Sequence, residues 1–420
     1  MGTINSERSA CVQILTEVLE KNAFTNIALR KYLANATNFD MRSKAFITEV
    51  VYTTVRNLVY IDYVLNHFSS LEVSKMKPDV RNILRMSVCQ MRFLEKVPNF
   101  AIINEAVELA KAKGLSQLAG FVNGVLRNAA RSGSLPKVPK RDLALMYSYP
   151  KELFELLKNQ LAGNELEDFL KKSHTRPAVT VFPNLAKTTL DGLASSLERE
   201  NVQTRKLEYC LLVSETGDIT KLDSFKNGLF FVMDDGAHFA VRCLGMKPGE
   251  TLIDLAAAPG GKSFAAASLM GNGGVVLAYD IYPHKIKLIE SGITRLGLDI
   301  VKPALGSALQ VDESLMGKAD AVLVDAPCSG LGTLKRHPEI KYRASRENIE
   351  KLSKMQLQML KTAKNYLKPG GRLVYSTCTV TKEENEDVAE KFSTEIELVE
   401  TVRLAPGDYS DGFFVAKYVK

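Results

Sequence analysis

The sequence predicts a multidomain protein with an all-α domain first, then a small α+β segment, and finally an α/β domain with a doubly wound parallel sheet. Up to about residue 130, apolar residues recur at helical spacing. From Gly249 onward, strand-like apolar runs alternate with helical stretches, as in a parallel sheet covered by helices on both faces. The total of 420 residues is enough for two or three domains.

The first domain is predicted to span residues 1–132. It ends at residues 133–141, where one glycine and two prolines interrupt the helical periodicity, as is typical of a linker. Residues 142–235 form the small α+β segment, which contains two helical stretches followed by strand-like runs at 178–182, 209–213 and 229–232.

The α/β domain is predicted to span residues 236–420. Its strands are expected at 251–255, 275–280, 301–305, 321–325, 372–376, 396–400 and 413–419. Its helices are expected at 260–270, 284–296, 346–366 and 382–392. Ligands of such sheets bind beyond the carboxyl ends of the strands, so those ends are where a site is expected.

Charge, cysteine content and hydropathy limit the classes of partner, metal site and location that the protein can have. Residues 1–140 hold 19 Lys and Arg against 11 Asp and Glu, whereas the remainder holds 36 against 37. The basic first third suits a polyanion such as nucleic acid, with solvated helix faces as the simpler explanation. The six cysteines form no C-x-x-C pair, which argues against disulfides and a metal site. No apolar run of about 18 residues and no secretion signal is found, so we expect a cytoplasmic protein.

The loop at residues 256–263 is a candidate cofactor site, because it follows an apolar strand and opens a helix with two glycines. A P-loop would need glycine where Ala256 stands, and the dinucleotide pattern G-x-G-x-x-G is absent. Asp280 ends the next predicted strand 19 residues after Gly261, the place of an acidic residue that binds ribose hydroxyls. These features favour a cofactor that contains a nucleoside.

Two cysteines are the candidate reactive groups. Cys328 follows the strand that ends at Asp325, and Cys378 follows the next predicted strand. Pro327 forces an extended backbone before it, which lets the Asp325 carboxylate face a base edge. We therefore expect both thiols on the same edge of the sheet, beside the cofactor loop.

Residues 254–263, 324–330 and 375–379 resemble the motifs of the S-adenosylmethionine-dependent RNA cytosine-5 methyltransferases of the NOL1/NOP2/Sun family, over roughly residues 175–420. Residues 121–127, in the basic helical region, resemble the RNA-binding antitermination factor NusB. A NusB-like domain ahead of such a methyltransferase is similar to the arrangement in bacterial 16S rRNA methyltransferases. The resemblance implies that the protein transfers a methyl group from S-adenosylmethionine to carbon 5 of a cytosine in 16S rRNA.

In that family, a thiolate adds to carbon 6 of cytosine before methyl transfer, and a base later removes the carbon-5 proton. The resemblance assigns attack to Cys378 and product release to Cys328, while Asp325 binds the cytosine and lies near the sulfonium. Lys262 is our own candidate for the cation that activates the attacking sulfur. The cofactor-binding residues implied are Ala256, Ala257, Ala258, Pro259, Gly260, Gly261, Lys262, Asp280, Ser307 and Asp325.

This chain departs from the family pattern at three positions: Ala256 replaces a usual Cys, Met233 a usual Gln, and Ser307 the usual Asp that receives the adenine amino group. Similar segments in the family also lie against RNA, which makes Arg336, His337, Lys341 and Arg127 candidate RNA contacts. The expected partner is 16S rRNA, naked or in a pre-ribosomal particle, bound by a monomer without metal or membrane. Two alternatives stay open: the same chemistry on tRNA, and an RNA-binding assembly factor with a vestigial methyltransferase fold.

Overall fold

The computed structural model describes residues 7–34, 36, 39–94, 97–214 and 217–420. The chain forms two compact units, each with its own core. One unit, the helical unit, comprises Met1–His174 together with Arg336–Arg343. The other, the catalytic unit, comprises Thr175–Lys335 and Ala344–Lys420.

The helical unit confirms the predicted all-α domain. Its helices are α1 (Glu7–Glu20), α2 (Thr25–Ala34), α3 (Met41–Arg56), α4 (Leu58–Phe68), α5 (Pro78–Phe93), α6 (Asn99–Ala112), α7 (Ala119–Arg131), α8 (Leu143–Met146), α9 (Lys151–Gln160) and α10 (Asn164–Ser173). Short 3-10 turns lie at Val73–Lys75, Ser116–Leu118 and Pro338–Tyr342. The apolar stripe predicted from periodicity forms the core; Val12, Leu15, Ile47, Val51 and Ile83 are almost fully buried.

The two compact units divide after His174, beyond the linker predicted at 133–141. Residues beyond the linker fold back onto the helical core. The Ser148 hydroxyl accepts hydrogen bonds from the backbone N–H groups of Val59 and Tyr60 at 2.9 and 3.2 Å. His174 Nε2 lies 3.1 Å from Asn57 Oδ1. These long-range contacts, which composition does not reveal, place α8–α10 in the helical unit.

Arg336–Arg343, here called the capping segment, binds helix ends in the helical unit with side chains of complementary charge. The Glu339 carboxylate accepts from the Thr25 N–H and hydroxyl, at 3.1 and 2.6 Å, where α2 begins. Arg343 Nη2 donates to the carbonyls of Val18 and Ala23, at 3.1 and 2.7 Å, where α1 ends. A negative side chain at a helix start and a positive side chain at a helix end both interact favourably with the helix dipole.

Lys341 is the centre of the capping segment. Its Nζ donates to the carbonyl of Arg56, the last residue of α3, and to those of Tyr147 and Ser148, at 3.3, 3.1 and 3.3 Å. The Nζ also lies 4.1 Å from the centre of the Tyr149 ring. The residue is 1 % exposed. Burial, followed by the charge of Arg56, lowers the pKa of Lys341 well below its ordinary value. The three acceptors around one nitrogen oppose this shift, because only the ammonium form has three N–H groups to donate to them.

The catalytic unit begins with a small antiparallel sheet in the order β2-β3-β1-β4. Its strands are β1 (Val179–Pro183), β2 (Gln203–Lys206), β3 (Leu211–Ser214) and β4 (Phe230–Val232). Helices α11 (Leu190–Arg199), α12 (Asp223–Lys226) and α13 (Asp235–Cys243), with a 3-10 turn at Ile219–Lys221, complete this part. Strand β2 was not predicted, because its residues Gln203, Thr204, Arg205 and Lys206 form a mostly exposed edge without an apolar pattern.

The large sheet has seven strands in the order β10-β11-β9-β8-β5-β6-β7. The strands are β5 (Thr251–Asp254), β6 (Val275–Asp280), β7 (Val301–Leu305), β8 (Ala319–Asp325), β9 (Leu367–Thr377), β10 (Glu397–Leu404) and β11 (Phe413–Val419). The helices are α14 (Gly261–Leu269), α15 (Pro283–Leu296), α16 (Arg346–Tyr366) and α17 (Glu386–Phe392). Further 3-10 turns lie at Glu313–Leu315, Leu331–Thr333 and Lys382–Glu384.

Strands β5 to β9 are parallel to one another, as predicted. Strand β11 runs antiparallel to β9, and β10 runs antiparallel to β11. The fully parallel sheet expected from the sequence is therefore corrected to a mixed one. Strand β8 lies between β5 and β9. The carboxyl ends of these three neighbouring parallel strands carry the cofactor loop, Asp325 with Cys328, and Cys378. The predicted meeting of the three motifs is confirmed.

Across the part of the chain that the structure describes, no helix combines the length and apolar character needed to span a bilayer. The same residues contain no group of three or more His, Cys, Asp or Glu side chains arranged to hold a metal ion.

Candidate active site

The two thiols predicted to lie together are in direct contact. Cys328 Sγ and Cys378 Sγ are 3.2 Å apart, and the backbone N–H of Cys378 donates to Cys328 Sγ at 3.3 Å. Both residues are half-buried, whereas Cys11, Cys89 and Cys210 are buried. The pair is therefore accessible enough for chemistry and close enough to share a proton.

Cys328 keeps its proton more strongly than an ordinary cysteine. The hydrogen bond to Cys378, together with burial and the charges of Cys378 and Glu384, raises the pKa of Cys328 well above its usual value. A thiolate, not a thiol, is the effective nucleophile. Within the pair, Cys328 is therefore the thiol of the resting state, and its sulfur is a strong base once that proton has left.

Asp325 and Lys262 form an ion pair beside the thiols. Lys262 Nζ lies 2.7 Å from Asp325 Oδ2, and the Ser376 hydroxyl donates to Asp325 Oδ1 at 2.9 Å. Burial acts to lower the pKa of Lys262, but Asp325, followed by Cys378 and Asp254, raises it above its ordinary value. Lys262 is therefore a permanent positive charge that interacts with the Cys378 sulfur.

A cavity of about 150 Å³ lies beside the glycine loop. It is lined by Ala256, Ala257, Ala258, Pro259, Gly261, Lys262, Asp325, Asp254, Val232, Met233 and Ala237. Gly260 has a left-handed backbone with φ +107°, and a Cβ there would lie 2.4 Å from the Phe264 ring. Glycine is thus required for the turn that directs the N-terminus of α14 at the cavity.

Asp254 is the lining residue that sequence analysis did not assign. Its Oδ2 accepts from the Ser263 hydroxyl at 2.6 Å, while its buried Oδ1 has no hydrogen-bond partner within the described structure. Burial raises the pKa of Asp254 to about 6, with Asp325 adding to the rise and Ser263 opposing it. A ligand with a positive group would satisfy this oxygen, and the amide groups that begin α14 would accommodate a carboxylate. S-adenosylmethionine carries both kinds of group, so the residues that line this cavity fit its charged methionine part.

Asp280 and Ser307 lie outside the cavity, at the ends of β6 and β7. Asp280 is 6 % exposed; its Oδ1 accepts from the Tyr282 N–H at 3.1 Å, and its Oδ2 lies 3.6 Å from Lys285 Nζ. The Gly306 N–H donates to the Asp280 carbonyl at 3.1 Å, which brings Ser307 to the same sheet edge. The Ser307 hydroxyl accepts from the Leu309 N–H at 3.2 Å. Their assignment to the ribose and adenine stays a prediction.

The four predicted RNA contacts occupy different environments. Arg127 is exposed on α7, with its Nε 2.9 Å from Asn123 Oδ1. Arg336 and His337 are half-buried in the capping segment, and the His337 ring packs edge-on against Phe24 at 5.9 Å. Lys341 is buried and uses its ammonium on three backbone carbonyls. Burial leaves the Lys341 side chain no exposed surface, and its contact with RNA stays a prediction.

Comparison with known proteins agrees with this architecture. Residues 241–419 match the family described as 16S rRNA methyltransferase RsmB/F, and residues 5–131 match the NusB family. The chain is 34% identical to a probable ribosomal RNA small subunit methyltransferase B of Bacillus subtilis, over 93% of this chain and 88% of the relative.

Two solved structures are also similar. The crystal structure of PH0851 has a TM-score of 0.85 and 26% identity, and the match covers 99% of each chain. A methyltransferase homolog protein from Pyrococcus horikoshii has a TM-score of 0.60 and 28% identity, over 66% of this chain and 98% of the other.

The fold and the site define a methyltransferase with a Rossmann-like domain that uses S-adenosylmethionine, which confirms the predicted cofactor. The chain belongs to the family of ribosomal RNA small subunit methyltransferases B. This membership confirms the resemblance drawn from the motifs and the predicted combination of a NusB domain with a methyltransferase domain.

Proposed function

We propose that this protein methylates carbon 5 of a cytosine in 16S rRNA through a covalent bond between Cys378 and carbon 6. The observation that carries the proposal is the pair of thiols 3.2 Å apart, next to the Lys262–Asp325 ion pair. A methyltransferase whose substrate accepts the methyl group on a nucleophilic nitrogen or oxygen needs no thiol. Carbon 5 of cytosine is a weak nucleophile and must be activated first. The names of the relatives favour small-subunit rRNA over tRNA, and the intact thiol pair argues against a vestigial site.

In the first step, Cys378 Sγ forms a bond to carbon 6, and the electrons of the carbon 5–carbon 6 double bond move towards carbon 5. Lys262 stabilises the Cys378 thiolate before attack, because its ammonium is held in place by Asp325. The second lone pairs of the Asp325 carboxylate accept from the exocyclic amine of the cytosine. S-adenosylmethionine supplies the methyl group as an electrophilic sulfonium.

Release requires that the carbon-5 proton leaves to a base and that the bond between Cys378 Sγ and carbon 6 breaks. The electrons of the broken C–H bond restore the double bond, and Cys378 departs as a thiolate. We assign the base to Cys328, which accepts the proton after giving its own to solvent. As a weakly acidic thiol, Cys328 becomes a strong base once deprotonated.

The test is covalent trapping with 16S rRNA and S-adenosylmethionine on a denaturing gel. We expect Cys378→Ala to form no adduct and Cys328→Ala to accumulate one. Lys262→Ala should slow adduct formation, and unchanged formation would remove Lys262 from the mechanism. Cys243→Ala, at a partly buried cysteine of α13, is the matched control. Equal behaviour of the Cys328 and Cys378 variants would refute the division of roles.

The position of the methyl group is tested separately by bisulfite mapping of RNA from cells that lack the protein. We expect one 5-methylcytosine to be missing from 16S rRNA; an unchanged 16S pattern with a loss in tRNA would assign the substrate to tRNA. We propose the cytoplasm as its location, in keeping with action on 16S rRNA. We propose that it acts as a monomer, as expected from the sequence.

A further inference from the structure

Two consecutive buried residues, Glu384 and Asn385, hold the loops that carry the two thiols. Both are 0 % exposed and lie where the 3-10 turn Lys382–Glu384 meets α17. Each binds the neighbours of a different cysteine. The two loops also contact each other through the thiols, 3.2 Å apart, and through the Ser329 and Thr379 hydroxyls, 2.6 Å apart. The reaction step that a variant slows therefore identifies the thiol it disturbs.

Glu384 holds the Cys328 loop. Its Oε1 accepts from the Ser329 N–H at 2.8 Å and from Gln356 Nε2 at 3.1 Å, and its Oε2 accepts from the Ser329 hydroxyl at 2.5 Å and the Thr381 hydroxyl at 2.7 Å. Gln356 Nε2 also donates to the Pro327 carbonyl at 2.9 Å. The residues on both sides of Cys328 are therefore fixed by one buried carboxyl group and its amide partner.

Asn385 holds the strand end that carries Cys378. Its Oδ1 accepts from the Thr377 hydroxyl at 2.5 Å, and its Nδ2 donates to the Thr379 carbonyl at 3.1 Å. These are the residues directly before and after Cys378. No bond of the Asn385 side chain to residues 327–329 is found in the described structure. Its link to the Cys328 loop is indirect and runs through Thr379, whose hydroxyl lies 2.6 Å from that of Ser329.

We propose that Glu384 and Asn385 are positioning residues with separate tasks: Glu384 places Cys328 for product release, and Asn385 places Cys378 for attack. This inference rests on the proposed function, because it assigns each residue to a step of that reaction. Misplacement of a reacting group by about 1 Å costs up to about 100-fold in rate. Loss of either side chain frees the adjoining loop to move by distances of this order.

The charge of Glu384 gives a second reason for its link to release. It lies close enough to Cys328 to raise the pKa of that thiol, after the larger effects of the Cys378 hydrogen bond and burial. Its removal would displace the thiol and also make it a weaker base once ionised. Both changes slow removal of the carbon-5 proton and leave attack by Cys378 intact.

The experiment measures formation and decay of the covalent adduct in the full-length protein, with 16S rRNA and S-adenosylmethionine. Glu384→Ala should form the adduct and release it at least about ten-fold more slowly than wild type, approaching Cys328→Ala. Asn385→Ala should form the adduct at least about ten-fold more slowly and accumulate none. Glu384→Gln, which keeps the shape and one acceptor oxygen, should recover part of the release rate. Glu390→Ala, exposed on α17, is the control.

Equal losses of adduct and product in Glu384→Ala, with an unchanged ratio of the two, would show a purely structural role and overturn the inference. If Glu384→Ala does not fold, Ser329→Ala removes the hydroxyl bonds to Glu384 and to Thr379. Normal release in that variant overturns the inference equally. Failure of the proposed function looks different: Cys328→Ala itself would then trap no adduct. Trapping by Cys328→Ala with normal release by Glu384→Ala would refute the positioning role alone.

Discussion

Replacing Lys341 by methionine is expected to destabilise the helical unit by roughly 3 kcal/mol. The change leaves three carbonyls, one buried and two partly buried, without their donor, at a cost of up to about 1–3 kcal/mol each. It also removes the cost of burying an ammonium group, which amounts to several kcal/mol and offsets part of the loss. The net figure lies at the lower end of what is found when one partner of a buried charged group is removed.

The assay is differential scanning calorimetry of the full-length protein, together with RNA binding at several salt concentrations. For a unit of 150–250 residues, each kcal/mol lowers the melting temperature by about 2–4 °C, so we expect a fall of about 6–12 °C. RNA binding by the folded variant should keep its salt dependence. Lys140→Met, at an exposed lysine, is the control and should leave the melting temperature unchanged.

A different outcome would refute the assignment. A lysine that contacts phosphate makes no such contribution to stability, and its loss lowers the salt slope of binding by about one. If Lys341→Met has the melting temperature of the wild type and binds RNA with a reduced salt slope, the Lys341 side chain is at the surface. Its proposed role in stabilising the helical unit would then be wrong.

Two further predictions concern pH. Burial, with the charges of Lys341 and Arg56, lowers the pKa of His174 to about 3. Below pH 6.5 the imidazole is therefore protonated in the unfolded chain but stays neutral in the folded chain. The free energy of unfolding should fall by about 2 kcal/mol from pH 7 to pH 5. Urea unfolding of His174→Gln should lack this component, and an identical pH dependence in both proteins would contradict it. For Asp254, with its pKa raised to about 6, affinity for S-adenosylmethionine should rise roughly ten-fold per pH unit up to pH 6 and then level off. Calorimetric titration of Asp254→Asn should show weaker binding with no such rise, whereas a wild-type affinity that is flat between pH 5 and 7 would count against the cation site.

The large sheet could be predicted because its central strands are buried on both faces and appear as continuous apolar runs. Strands 275–280 and 301–305 and helix 346–366 have the bounds that the sequence predicted. The edge strand β7, at 301–305, still has an apolar pattern, but polar edge strands do not carry that signal. The polar strand β2 was missed for this reason, and the antiparallel direction of β10 and β11 depends on chain connections that local patterns do not encode.

The candidate site divides in the same way. Cys328, Cys378, Asp325 and Lys262 stand in recognisable motifs at strand ends, and the structure brings them together. Glu384 was not recognised, because its partners Ser329 and Gln356 lie 55 and 28 residues away in the sequence. The burial of Lys341 was not recognised for a related reason: a charged residue in a basic loop is usually solvated, and only the folded chain reveals the carbonyls that bind it.

The capping segment has a consequence for synthesis on the ribosome. The helical unit takes Glu339, Lys341 and Arg343 from a part of the chain made well after His174. At about 5–20 residues per second, the interval between them is on the order of 10–30 seconds. During that time the emerging helices have no partner for the ends of α1 and α3. The N-terminal half therefore cannot reach its final stability until most of the catalytic unit has been translated, and the two units are obliged to mature together.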